Sequence, residues 1–257
     1  MPCRIAVAGK GGTGKTTLSA LITTHFVQSG KTPILAVDAD PNANLNEALG
    51  VEYDRSVVET VDEVMSDGVV PAGIPKSDFV EYQVHDALVE STGFDLLVMG
   101  HTEGPGCYCH ANDLLRAFLD KLTASYKYVL MDNEAGMEHL SRRTTRNLDA
   151  LLLVANPTAT SLRSAARIHK LVEKLKLNIK QNHLILNHMN ALEPASDDSG
   201  YRAILDQIQE DGLPLLGEIP YDAAVAERSM SAKGVMDLPT DGPTLQAVGK
   251  LVDQLDV

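Results

Sequence analysis

The chain has 257 residues, with 22 Lys+Arg against 35 Asp+Glu and a formal charge of −13. That balance repels a bare phosphate backbone and counts against non-specific nucleic-acid binding. Arg142, Arg143 and Arg146, the densest basic group, read as one solvated helix face. A hydrophobic fraction of 44% excludes a disordered chain, and aromatics at 4% without Trp require an aliphatic core.

Met1 to Ala8 is too short for a signal peptide. The longest apolar run, Ala150 to Ala155, is far short of the about 20 residues of a membrane helix. Three cysteines are too few for a disulfide framework. The expectation is a soluble, cytoplasmic protein that binds neither membrane nor nucleic acid.

Short apolar runs recur along the chain at Ile5–Ala8, Ile34–Val37, Phe94–Met99, Tyr128–Met131, Leu151–Ala155, His183–Leu186 and Leu215–Ile219. Continuous apolarity over four to six residues suits strands covered on both faces. Helical periodicity fills the gaps: Leu114, Leu115, Phe118 and Leu122 share a face, as do Ile168, Leu171, Val172 and Leu175. The alternation predicts an α/β fold with a mostly parallel β-sheet flanked by helices on both faces. No composition shift divides the chain, so one domain over residues 1–257 is expected. Residues 51–90, with Gly68, Pro71, Gly73 and Pro75, read as an irregular helical insertion.

The first strand runs into Gly9-Lys10-Gly11-Gly12-Thr13-Gly14-Lys15-Thr16, followed by a helix over Thr17–Gln28. This is a P-loop in the strand-to-helix context that the motif requires. Glycines let backbone N–H groups converge on phosphate oxygens, and the helix N-terminus adds positive potential. Lys15 is expected to reach the β- and γ-phosphates of ATP, and Thr16 to give a hydroxyl to Mg²⁺. Asp38 and Asp40 end the second strand, and Asp132 ends Tyr128–Met131. Carboxylates at strand C-termini sit beside the ligand crevice of such a sheet, although each alone could be a helix cap. Asn187 ends His183–Leu186 and Asn156 ends Leu151–Ala155, positions that also suit turn asparagines.

Lys10, a second lysine inside the loop, resembles the deviant Walker A ATPases, the P-loop group (SIMIBI-type) of the MinD, ParA and nitrogenase iron protein families. The resemblance implies a homodimer in which Lys10 reaches the partner's nucleotide. It also implies Asp40 orienting the attacking water, Asp38 near Mg²⁺-bound water and Asp132 as the Walker B aspartate. Thr17 would extend the phosphate contacts, Asn187 would read the adenine edge, and Pro220 and Tyr221, in Ile219-Pro220-Tyr221-Asp222, would pack beside adenine.

Cys107-Tyr108-Cys109 follows Gly104-Pro105-Gly106 and precedes a helical pattern, which favours exposed, thiolate-prone side chains. Two thiolates make half of a four-coordinate soft site that a symmetric dimer would complete for Ni²⁺ or Zn²⁺, while a reversible disulfide or two idle thiols fit the same spacing. With Asp-Asn-Glu-Ala-Gly-Met-Glu-His at 132–139, the segment resembles the CooC-type ATPases, carbon monoxide dehydrogenase maturation factors that deliver nickel. That resemblance implies nickel as cargo and a client nickel enzyme such as carbon monoxide dehydrogenase or acetyl-CoA synthase. Two other readings compete. An iron–sulfur electron donor like the nitrogenase iron protein would hold its cluster through well-separated cysteines, and here they are adjacent. A partitioning or positioning ATPase on membrane would need a basic tail, and Leu251–Val257 is acidic.

Overall fold

The computed structural model describes residues 2–66, 70–100, 120–134, 147–189 and 200–255. Eight strands form one sheet: β1 (Cys3–Gly9), β2 (Ile34–Ala39), β3 (Val89–Glu90), β4 (Phe94–Val98), β5 (Tyr128–Asn133), β6 (Asn147–Ala155), β7 (Asn178–Met189) and β8 (Leu215–Pro220). Their order is β3-β4-β2-β5-β1-β6-β7-β8, and every pairing is parallel except β3 with β4. The seven apolar runs of the sequence are the seven parallel strands. β3 escaped that reading because two residues on an edge carry no apolar run. β7 is longer than its apolar core and continues past Asn187, with a register irregularity between Leu186 and Met189.

The described helices are α1 (Lys15–Gln28), α2 (Leu45–Leu49), α3 (Val57–Ser66), α4 (Lys76–Asp86), α5 (Ala159–Leu175), α6 (Gly200–Glu210), α7 (Ala223–Met230) and α8 (Pro243–Val252). Of the helix expected around Leu114–Leu122, only residues 120–123 lie in the described part, and they are helical.

Alternation along the strands builds two cores. Ile5, Val7, Ile34 and Ala36 face α1, α2 and α8, where Leu18, Leu21, Leu45 and Leu251 cover them. Ala6, Ala8, Leu35 and Val37 face the other way and join Val57, Val61, Val84, Leu162 and Ile168 of α3, α4 and α5. The two central helix positions Leu18 and Ile22 are essentially inaccessible, as are Leu35, Leu96 and Leu130 in the strands. Each such side chain contributes about 2 kcal/mol by leaving water. No described helix is long and apolar enough to cross a membrane.

The parallel arrangement aims all central strand C-termini at one edge of the sheet. There β1 lies between β5 and β6, and β2 lies beside β5. In register, Asp132 is opposite Val7 on one side and Asp38 on the other. Asp38 and Asp132, 22 and 116 positions beyond Thr16, are thereby carried to the rim of the P-loop.

Candidate functional site

β1 delivers the chain into the loop at Gly9, which pairs with Val154 of β6. The loop closes on itself: Thr13 donates its N–H (3.3 Å) and its Oγ1 hydroxyl (2.8 Å) to the Lys10 carbonyl. Gly14 then takes a left-handed conformation, φ +87°, as the N-cap of α1. No side chain caps that helix start. Its first-turn N–H groups are therefore left for an anion, which the helix dipole also favours. The helix begins at Lys15, two residues before the position expected, because Lys15 and Thr16 already have helical geometry.

Lys15 is buried, only 7% exposed, whereas Lys10 is exposed. A cleft of about 330 Å³ opens at this helix start, lined by Gly14, Lys15, Thr17, Glu47, Val225 and Arg228 among others. Gly12 also lines it, and both Gly11 and Gly12 are exposed.

The two strand-end carboxylates are deeply buried. Asp132 accepts a hydrogen bond from Ser19 Oγ at 3.2 Å through Oδ1, and its buried Oδ2 has no hydrogen-bond partner. Burial, with the Asp38 carboxylate beside it, raises its pKa to about 7 against the lowering pull of Thr16, Lys15 and Ser19. Asp38 is pushed up to about 6 by burial. Its Oδ1 accepts from Asp40 N–H at 3.0 Å and its Oδ2 from Leu45 N–H at 2.8 Å. Both oxygens of Asp38, expected near Mg²⁺-bound water, thus help to shape the loop that carries Asp40. Asp40 is partly exposed and accepts from Asn42 N–H and Nδ2, both at 2.9 Å. Asn133 follows Asp132 and anchors it by donating from Nδ2 to Val7 O at 3.0 Å.

The unpartnered Asp132 oxygen tests the site for Mg²⁺. A buried carboxylate oxygen with no donor is costly unless a cation or water completes it. With the Thr16 hydroxyl beside it, the donors are hard oxygens, which suit Mg²⁺.

The raised pKa values have a measurable consequence. A carboxylate with a folded pKa above its unfolded value of 3.8 binds more protons in the native state through that interval. Stability is then lost as pH rises from about 4 to about 7. Half-buried His25, His183 and His188 have pKa values lowered by burial and act in the opposite sense, so the comparison must be with a variant. In metal-free, nucleotide-free protein, Asp132→Asn should lose less stability than wild type between about pH 5 and about pH 7. Parallel melting-temperature curves for the two proteins would show that these carboxylates do not titrate as described.

Asn187 and the Pro220–Tyr221 segment lie near the C-terminal ends of β7 and β8. Asn187 is buried and donates from Nδ2 to Thr13 O at 2.8 Å, while its Oδ1 accepts from His188 N–H at 2.9 Å. Pro220 ends β8 opposite Met189, and half-exposed Tyr221 meets His188 edge-on with ring centroids 6.3 Å apart. Asp222 caps α7 through Ala224 N–H and accepts from Thr244 Oγ1. Asn156 Nδ2 reaches Gly12 O at 3.5 Å. Sequence reasoning missed Ser19 and His188. Ser19 lies one helical turn beyond Lys15, and His188 adjoins Asn187, so spacing alone could have flagged both.

Cys107 and Cys109 lie outside the described residues, as do Arg142, Arg143, Arg146 and 135–139 of the segment after Asp132. Among the described residues no group of three or more His, Cys, Asp or Glu is placed to hold a metal ion. Cys3 is half-buried, its thiol pushed up to about 12 by burial, which suits a structural residue.

The fold and the loop have clear counterparts. A ParA family ATPase from Chlorobium tepidum superposes with a TM-score of 0.73 at 20% identity, over 99% of both chains. An ATP-binding protein of Methanocaldococcus jannaschii is 35% identical over 255 residues, 98% of this chain and 97% of its own. The carbon monoxide dehydrogenase accessory protein CooC of Rhodospirillum rubrum is 32% identical over 247 residues, 91% of this chain and 90% of its own. Residues 5–235 match the CobQ/CobB/MinD/ParA nucleotide binding domain, an interval that holds the P-loop, both buried aspartates and Asn187. The chain belongs to this MinD/ParA-type family of P-loop ATPases.

Proposed function

We propose that this chain hydrolyses ATP and couples the turnover to loading nickel into a client enzyme such as carbon monoxide dehydrogenase. The observation that carries the nucleotide half is the start of α1. An uncapped helix N-terminus, buried Lys15 and the unpartnered Asp132 oxygen converge there. The phosphates lie on the loop amides of Gly11 to Thr17. Lys15 neutralises charge on the β- and γ-phosphates, which develops further in the transition state. Asp40 orients a water on the γ-phosphorus. The new P–O bond forms as the bond to the β-phosphate oxygen breaks, releasing ADP and phosphate. Thr16 and Asp132 would hold Mg²⁺, which supplies charge neutralisation across the β- and γ-phosphates. Asp38 keeps the Asp40 loop in place, and Asn187, Pro220 and Tyr221 bound the space for the base.

Exposed Lys10 is available to a second copy, so the active form is a homodimer bridged by nucleotide. Its two Cys107–Cys109 pairs would meet to form an S₄ site for Ni²⁺, with Zn²⁺ as a competitor. The nickel half is supported by the Cys-x-Cys spacing and by the similarity to CooC across nine-tenths of the chain. Nickel titration of the dimer, by calorimetry and elemental analysis with and without ATP, tests it. Wild type should bind about one Ni²⁺ per dimer tightly, and the Cys107→Ala, Cys109→Ala double variant should bind none at that affinity. Full nickel affinity in the double variant would end the nickel reading. A brown, iron-containing protein after anaerobic purification would replace it with an electron donor.

A further inference from the structure

Asn187 was expected at the base of the nucleotide, but in the structure its Nδ2 donates to the phosphate loop. Its amide orientation is chemically fixed. Nδ2 lies 2.8 Å from the Thr13 carbonyl, which can only accept, and Oδ1 lies 2.9 Å from His188 N–H, which can only donate. The side chain is only 6% exposed, so water is a poor substitute for either partner. β7 is an internal strand, paired with β6 as far as Leu186, and Asn187 is the next residue beyond that ladder.

The consequence follows from peptide planarity. In a trans peptide the C=O of Thr13 and the N–H of Gly14 point in opposite directions. Holding Thr13 O toward β7 therefore turns Gly14 N–H away from β7, toward the concave side of the loop where the phosphates bind. Gly14 is bare on the Asn187 side for the same reason. A Cβ there would collide with Asn187 Nδ2, and φ +87° already disfavours other residues. The neighbouring carbonyl is treated alike, since Asn156 Nδ2 at the end of β6 approaches Gly12 O at 3.5 Å.

We infer that Asn187 is a positioning residue of the phosphate cradle, which sets the Thr13–Gly14 peptide whatever base the nucleotide carries. This rests on the nucleotide reading of the loop. A hydrogen-bonded amide that only read adenine would leave base-free ligands untouched, so inorganic tripolyphosphate separates the two roles.

The experiment is calorimetric titration of full-length wild type and Asn187→Leu with Mg²⁺·tripolyphosphate and with Mg²⁺·ATP. Melting curves are recorded on the same samples. Leucine keeps the branching and volume without adding charge near phosphate. Both ligands should weaken in parallel, by about tenfold, the worth of one buried hydrogen bond. A variant that binds tripolyphosphate as tightly as wild type overturns the inference, whether ATP binding falls or the melting temperature does. Should the leucine variant fail to fold, Asn187→Ser carries the same comparison. Wild type that binds neither ligand would instead remove the nucleotide reading itself.

Discussion

Replacing Lys15 with alanine is expected to lower kcat/KM for ATP by about 10³-fold, measured as phosphate release under saturating Mg²⁺. The size of the effect follows from where the ammonium sits. Lys15 is the first residue of α1 and 93% of its surface is covered, so its charge acts in a poorly screened environment. It also lowers the pKa of Asp132, against burial and Asp38, which raise it. Without Lys15 the neighbouring carboxylate is harder to ionise, and Mg²⁺ binding should shift to higher pH as well. Arginine will not restore the activity. Its planar guanidinium is bulkier than an ammonium and cannot occupy the same enclosed position. A Lys15→Ala protein within about tenfold of wild type would mean that the phosphates do not lie on this loop.

The second large effect is expected at Gly9, and it is steric. A Cβ on Gly9 would run into the Val154 carbonyl oxygen, and would also lie 3.0 Å from Thr13 Oγ1 and 3.3 Å from the Val154 carbonyl carbon. Val154 is the register partner of Gly9, is almost wholly buried, and belongs to a strand hydrogen-bonded on both sides. Neither β1 nor β6 can move aside without breaking ladder bonds in the middle of the sheet. Gly9→Ala should therefore cost about 3 kcal/mol and lower the melting temperature by roughly 5–10 °C. It should also disrupt the Thr13–Lys10 turn, and with it ATP binding. Gly12→Ala is the control: nothing lies within 4 Å of the added carbon, although its φ of +77° still costs some strain. Equal melting temperatures for Gly9→Ala and wild type would show that the β1–β6 contact is looser than described.

Much of this molecule was legible in local sequence. The P-loop is eight contiguous residues whose chemistry depends on glycine freedom and on lysine and hydroxyl placement. The apolar runs that make the parallel strands are likewise short and contiguous. The central strands β1, β2, β5 and β6 are covered on both faces over most of their length and so are mainly apolar, which is why their runs stood out. β3 did not, since a two-residue edge pairing needs only an available neighbour. Asp38, Asp40 and Asp132 were suspected from strand ends, and the acceptance by Asp38 of the Asp40 and Leu45 N–H groups was not. That depends on which backbone N–H groups the fold brings to each oxygen.

Asn187 marks the boundary between the two kinds of information. The sequence by itself determined that an asparagine follows an apolar strand in a P-loop protein, and left a base contact and a turn role open. Only the tertiary structure brought its Nδ2 to Thr13 O, across 174 residues of chain. That meeting is decided by the β1–β6–β7 register, by the side-chain alternation that turns Asn187 toward α1, and by the missing side chain of Gly14. The loop's capacity to bind phosphate is thus a property of eight consecutive residues, while the shape in which it is held comes from strands whose pairing no local pattern encodes.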